Sequence, residues 1–177
     1  RTEEGEEEGE DTTVYLPETA QLLQYALEHT DMQSAESEHT WSLVHLFAFR
    51  LQTWAKQMEC EDAEDAWQLC HAVIVHGGHS ETFAAAPEGQ CSVQDFVISA
   101  ALHVIESSGS KTARFCCRLV RGCFIAQRQP LPVATLQKIV AVVSNELVCD
   151  PTPLLQQELV LLLCFAYFHR PKLVTTV

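Results

Sequence analysis

The sequence predicts an all-α domain of about seven helices, on three observations. Apolar residues recur three and four apart in successive stretches from residue 17 to residue 169, the period of a helix with one face on a core. Ser, Thr, Asp, Gly and Pro fall between those stretches, where helices start and stop. No strand-like stretches alternate with the helical ones, so an α/β sheet is not expected. The chain has 177 residues, 47% hydrophobic and 20% charged, a composition that folds and a length that buries one sizeable core.

Residues 1–14 are expected to be a disordered acidic linker, because the first eleven hold seven carboxylates, one Arg and no apolar side chain. A single domain is expected over 15–170, with a C-terminal tail at 171–177. Pro17 opens the first helix, with Leu16 as a staple, and Leu22, Leu23, Ala26 and Leu27 face inward up to about His29. Ser37 or Thr40 caps the second helix, which runs to about Met58. Its stripe is Leu43, Val44, Phe47, Leu51, Trp54, Ala55 and Met58. Leu46 and Phe49 lie off that stripe, so this helix is expected to touch neighbours on two sides. The acids of Glu61–Asp65 suit the first turn of a third helix. Ala63, Ala66, Trp67, Cys70, Val73 and Ile74 are its buried side, and Gly77-Gly78 is expected to end it. Residues 79–91 form the longest irregular connection, with a single helical turn around Phe83.

Ser92 followed by Asp95 reads as a capping box for the fourth helix, whose face is Phe96, Val97, Ala100, Ala101, Val104 and Ile105. After a tight turn at Gly109, Ser110 caps the fifth helix. Pro130 and Pro132 separate it from the sixth, where Val133, Leu136, Ile139, Val140, Val143 and Leu147 keep helical spacing. Asp150-Pro151 breaks the chain again. Thr152 and Pro153 open the seventh helix, which ends near His169 because Pro171 cannot continue it. Residues 159–168 are ten apolar residues in a row. A membrane span needs about twenty, so no membrane is expected, and the run reads as a helix buried on all sides, either central or covered by a partner.

The fifth helix, Lys111–Arg128, carries the functional expectation. Lys111, Arg114, Arg118, Arg121 and Arg128 fall within about a third of the helix circumference. Phe115, Cys116, Leu119, Val120, Cys123, Phe124 and Ala126 lie on the other side, and Ile125 is an apolar spot among the cations. Such a row either balances acids of its own domain or forms a groove for an acidic or amphipathic segment of another protein.

Helix starts at about 93, 111, 132 and 153 recur every twenty or so residues, and an offset of 39 matches Val97 to Leu136, Ala100 to Ile139, Ala101 to Val140 and Val104 to Val143. Over residues 38–169 this organisation resembles the helix pairs of armadillo and HEAT-type arrays. That resemblance implies a binding scaffold. A compact helical bundle is the competing fold.

The net charge is −13, unevenly spread: −6 over residues 1–11, −12 over 12–106 and +5 over 107–177. That field disfavours direct nucleic-acid binding. Eight cysteines at irregular spacing, mostly on apolar faces, fit a reducing compartment, cytosol or nucleus, better than a secreted disulfide framework. The first residue is Arg, as expected of a piece of a longer protein. Thr175 before the final Val177 resembles a PDZ ligand, if Val177 ends the protein.

Chemistry finds few footholds. His76 and His79, flanking Gly77-Gly78 with Cys70 and His71 nearby, are the candidate metal ligands. Zinc needs convergent ligands, and neither C-x-x-C nor H-E-x-x-H occurs. The plainer reading is histidines near the negative end of a helix, and no cofactor is expected. Cys116-Cys117 lie between Arg114 and Arg118, a setting that can lower a thiol pKa, yet they fall on or near the apolar arc and read as core thiols. The segment HGGHS is similar to the oxyanion segment of esterases, but no G-x-S-x-G accompanies it. The sequence therefore points to a non-catalytic protein-interaction module of a larger scaffold. The alternatives are an obligate structural subunit docking through the seventh helix, and a zinc- or thiol-dependent enzyme or sensor. The oligomeric state is left open.

Overall fold

A computed structural model describes residues 17–57, 64–86, 91–107, 110–126 and 131–169, without the side chains of 17–19, 52–57, 64, 65 and 110. The expected linker 1–14, the tail 171–177 and the expectations placed on Leu16, Met58, Ala63, Gly109 and Pro130 lie outside the described residues, as do the side chains of Trp54 and Ala55. Among the described residues there are eight α-helices and no strand: α1 Pro17–His29, α2 Glu38–Gln57, α3 Glu64–Ala72, α4 Glu81–Ala84, α5 Val93–Ser107, α6 Ser110–Ala126, α7 Val133–Val148 and α8 Pro153–His169. The extra helix, α4, is the turn around Phe83, so the fourth to seventh expected helices are α5 to α8. A 3₁₀ turn, Ala35–Ser37, leads into α2, and a π-helical segment, Val73–Gly77, continues α3.

The helices pack in two layers. In one, α5 lies between α2 and α7; in the other, α6 lies between α3 and α8. Within this stack α5 packs on α6 and α7 on α8, while α1 packs against α3, α2 and the π segment. Each layer therefore advances by every second or third element, and α5 and α6 sit at its middle.

Several starts and stops follow from local chemistry. Ser92 Oγ accepts from Asp95 N at 3.0 Å and donates to the Asp95 carboxylate at 2.7 Å, which fixes the first turn of α5. A cap of this kind is worth about 1 kcal/mol. Thr135 Oγ1 on α7 donates to the other carboxylate oxygen of Asp95 at 3.4 Å, so the cap also ties α7 to α5. Asp150 takes a φ of 54° after α7, a left-handed turn that Asp tolerates. Ser37 does not cap α2: its hydroxyl donates to Ser34 O at 2.7 Å and closes the 3₁₀ turn instead.

The central helix is α5, not α8. Nine of the fifteen residues of α5 are buried, against five of seventeen in α8. Leu155, Glu158, Leu159, Leu162 and Ala166 meet the domain, while Leu154, Val160, Leu161, Cys164, Tyr167 and Phe168 are exposed. The apolar residues of α8 run round the helix with almost no preferred side, so hydropathy alone could not reveal that it stands at the margin of the stack. Two further inward assignments are also overturned. Leu22 is 71% exposed and Leu43 is 53% exposed, and Ala20, Trp41 and Ala48 fill the core on α1 and α2 instead. Leu46 and Phe49 are exposed as well. Phe49 alone of these finds an aromatic neighbour, standing edge-on to Phe96 of α5 at 6.0 Å.

Gly77 and Gly78 do not end α3 by the left-handed route. Gly78 is right-handed, with φ −60° and ψ −23°, and its N–H donates to Ile74 O. The glycines are needed for close approach. A Cβ on Gly77 would sit 2.8 Å from Cη2 of Trp41, whose indole N–H donates to Met32 O at 3.1 Å. A Cβ on Gly78 would sit 2.6 Å from Ala126 Cβ at the end of α6. The turn after the π segment thus presses on α2 and α6 at once. Gly77→Ala is expected to lower stability by about 1–3 kcal/mol through overpacking. A Cβ on Gly122 would meet Cγ2 of Ile74 at the longer distance of 3.3 Å, so Gly122→Ala should cost clearly less, as read from urea midpoints of the two variants.

Candidate protein-binding surface

The α6 helix divides as its sequence requires. Ala113, Cys116, Cys117, Leu119, Val120, Cys123 and Phe124 are buried, facing the other helices. Lys111, Arg118 and Ile125 are exposed and follow one another at intervals of seven, two turns apart, so they lie along one line of the helix. Arg114 and Arg121 flank that line and are half-buried. Arg128 lies outside the described residues.

Two of these cations are engaged by α8. Arg118 Nε donates to Glu158 Oε1 at 2.8 Å, and Arg121 Nη2 lies 2.9 Å from Glu158 Oε2. The second contact is a close ion pair without hydrogen-bond alignment, since Oε2 accepts no aligned hydrogen bond. Glu158 is only 8% exposed, and these guanidinium groups are the cations beside it. Arg118 remains half in water, with its side chain 53% exposed, which moderates the strength of the pair. Arg114 Nε is buried with no acceptor among the described residues. Among the described residues the strip keeps an excess of positive charge: Lys111, Arg114, Arg118 and Arg121 stand against the one carboxylate of Glu158.

The other candidate residues do not come together as a reactive centre. His79 Nδ1 is 2.9 Å from Ala126 O, which ties the turn after the π segment to the end of α6. His76 is exposed on the π segment and Cys70 is buried. Among the described residues no three His, Cys, Asp or Glu side chains are grouped as metal ligands would be. The arginines of α6 do not activate Cys117. Burial, followed by the negative charge of Glu158, pushes the Cys117 thiol up to about 12, with Arg121 offsetting it only in part. Burial and then Asp95 push Cys123 up to about 12, and burial holds Cys70 well above the ordinary thiol range.

On the opposite layer, α5 and α7 part to leave an open groove of about 510 Å³. Ile98, Leu102 and Val142 contribute apolar surface, and His103, Glu106 and Lys138 contribute polar side chains. Burial first, and then the charge of Glu106, raise the Glu146 carboxyl above its usual range. Neither this groove nor the Glu158 ion pair was visible in the sequence. The i, i+3 spacing of Arg118 and Arg121 gave the cations, but their partner lies forty residues away on another helix.

No protein-family model matches the chain, and no curated protein or solved structure is significantly similar to it.

Two outcomes follow from this geometry. At pH 8 a thiol of pKa about 12 has roughly one part in ten thousand as thiolate. An aromatic disulfide reagent should therefore modify the exposed Cys91 and Cys149 rapidly, and reach Cys70, Cys117 and Cys123 only on unfolding, as mapped by peptide mass spectrometry. Glu158→Gln leaves Arg118 and Arg121 without their carboxylate. It should lower stability by about 1–3 kcal/mol, less than a fully buried pair would lose because Arg118 is half exposed, as measured by urea denaturation.

Proposed function

We propose that this domain is a non-catalytic protein-interaction module of a larger scaffold. Its two-layer helical stack, in which α2, α5 and α7 form one layer and α3, α6 and α8 the other, supports an armadillo/HEAT-like reading over a closed bundle. The observation that carries the function is the exposed line Lys111–Arg118–Ile125 on α6, with Arg114 and Arg121 beside it and, among the described residues, one carboxylate against four cations. An acidic amphipathic helix of a partner suits that line, offering carboxylates to the cations and an apolar side chain to Ile125. The charge of the whole chain, −13, disfavours nucleic acid, whose charge is denser than that of a peptide offering an apolar side as well. Buried cysteine thiols suit the cytosol or nucleus.

A second reading is that the domain is a structural subunit docking through α8, favoured by the exposed apolar residues of that helix. No helix among the described residues is long and apolar enough to cross a membrane.

The α6 strip is tested with two synthetic helical peptides, one Leu/Glu amphipathic and one with every Glu replaced by Lys, titrated by fluorescence anisotropy. The acidic peptide should bind, more weakly as salt rises, and the basic peptide should not. Reversal at Arg118 or Arg121 would unseat Glu158, so the informative variants are Lys111→Glu and Ile125→Asp, both at exposed positions. Each should weaken the acidic peptide by about tenfold, equivalent to about 1.4 kcal/mol. Equal binding of both peptides, or indifference to both variants, contradicts this reading.

A further inference from the structure

The α8 helix carries an apolar row that its own domain leaves bare. Leu154, Val160, Leu161, Tyr167 and Phe168 are 56, 46, 37, 43 and 81% exposed. Cys164 is exposed among them. No Asp, Glu, Lys or Arg lies on that side; the exposed polar residues are Gln156 and Gln157. Single exposed apolar residues are ordinary, but a contiguous row on one helix marks a contact surface.

The row has an internal symmetry. Cys164 is its small central residue. Val160 and Leu161 stand four and three residues before it, and Tyr167 and Phe168 stand three and four residues after it, so all four adjoin it on the same face. An isologous interface requires a patch complementary to itself about a two-fold axis. With the axis through Cys164, an antiparallel copy of α8 lays Val160 and Leu161 against Tyr167 and Phe168 of the second copy, and the reverse. Aliphatic residues then meet aromatic ones twice, and the small thiol at the crossing lets the helices approach.

Charge and area favour the same occupant. The chain is strongly acidic overall, but its carboxylates are concentrated before residue 107, and residues 107–177 carry a net +5. Two copies meeting on α8 bring together uncharged faces from the less acidic end, and repulsion between the acidic parts is screened beyond about 8 Å. Aromatic side chains carry about 150–250 Å² each, so at these exposures the row presents on the order of 400–500 Å². Two copies then remove close to 1,000 Å² from water, the lower bound for a specific interface.

We propose that the protein forms a two-fold dimer through α8, crossing at Cys164. This rests on the second reading above, that α8 docks on another chain, and identifies that chain as a copy of itself. It makes no use of the cation line on α6.

The experiment uses the full chain. Sedimentation velocity over a rising concentration series should show monomer converting to dimer in the micromolar range. In a Cys60→Ser, Cys91→Ser, Cys149→Ser background, oxidation with copper phenanthroline should give a single band of doubled mass on a non-reducing gel. There two Cys164 thiolates form one S–S bond and their two electrons pass to copper(II). Helices packed about 8–10 Å apart, with Cα atoms about 2.3 Å from each axis, bring the two Cα atoms to about 3.4–5.4 Å, overlapping the disulfide range. Phe168→Asp, at an 81% exposed site, should stay monomeric and cross-link at least tenfold more slowly. Val160→Asp serves as the second variant, and circular dichroism checks the fold of both. A monomer at every concentration, a dimer that both variants leave intact, or cross-linking no faster than in Phe168→Asp overturns the proposal. A wild-type monomer that binds an apolar dye, lost in Phe168→Asp, overturns self-association while leaving α8 as a docking face for a different chain. A monomer that binds no dye overturns both.

Discussion

The burial of α5 is the constraint on which the rest of the structure depends. Val97, Ala101, Val104 and Ile105 are each at most 1% exposed, and this helix meets α2, α6 and α7 together. Full burial of one aliphatic side chain contributes about 1.5–3 kcal/mol, so a helix with this many buried residues fixes where its neighbours stand. Ala100 and Ala101 are small enough to let flanking helices come close. Once α2 and α7 lie along α5, and α6 is packed beneath it, α8 has α6 and α7 to settle on, and its far side has no helix among the described residues to cover it.

The same arrangement explains the chemistry of α6. Its thiols face the interior, where burial outweighs the cations next to them in sequence and holds Cys117 and Cys123 in the protonated form. The guanidinium groups of Arg118 and Arg121 meet Glu158. The carboxylate is on α8 because α8 packs there, so the ion pair records the helix contact and does not create it. Among the described residues, one carboxylate against four cations leaves the strip positive beside a chain that is acidic overall. That polarity within one domain, and the apolar side of α8, are the two features on which the proposed contacts with other polypeptide rest.

Much of the fold was legible in the sequence because its punctuation is chemical. Ser92 with Asp95, Pro132, Asp150-Pro151 and Pro153 each restrict the backbone locally, and the boundaries of α5, α7 and α8 follow from them. The turn at Phe83 was expected without its cap, which the structure supplies: Ser80 accepts from Thr82 N at the start of α4. Depth in the stack was not legible. LVLLLCFAYF is more apolar than any stretch of α5, yet α5 is the inner helix, because burial depends on how many neighbours a helix acquires and not on its own hydropathy. Leu22 and Leu43 fit their stripes by angle but lie at the edge of the arc that α1 and α2 bury. Gly77-Gly78 looked like a helix stop, while its purpose, letting Trp41 and Ala126 approach the backbone, depends on residues distant in sequence. For the candidate surface, helical spacing located Lys111, Arg118 and Ile125 on one line. It could not reveal Glu158 as the acid that holds Arg118 and Arg121, since that pairing is purely tertiary.

The central claim is that the domain is organised around α5 and leaves the outer side of α8 for another polypeptide. Hydrogen exchange of the dilute protein tests it most directly, because amide protection reports the opening free energy of each helix separately. The account predicts that amides of Val97–Ile105 exchange only through global unfolding. Those of α8 should exchange through smaller openings in dilute solution and become slower once its outer face is occupied. Protection of α8 equal to that of α5 in the isolated monomer would contradict it, because the outer side of α8 would then already be covered within the chain.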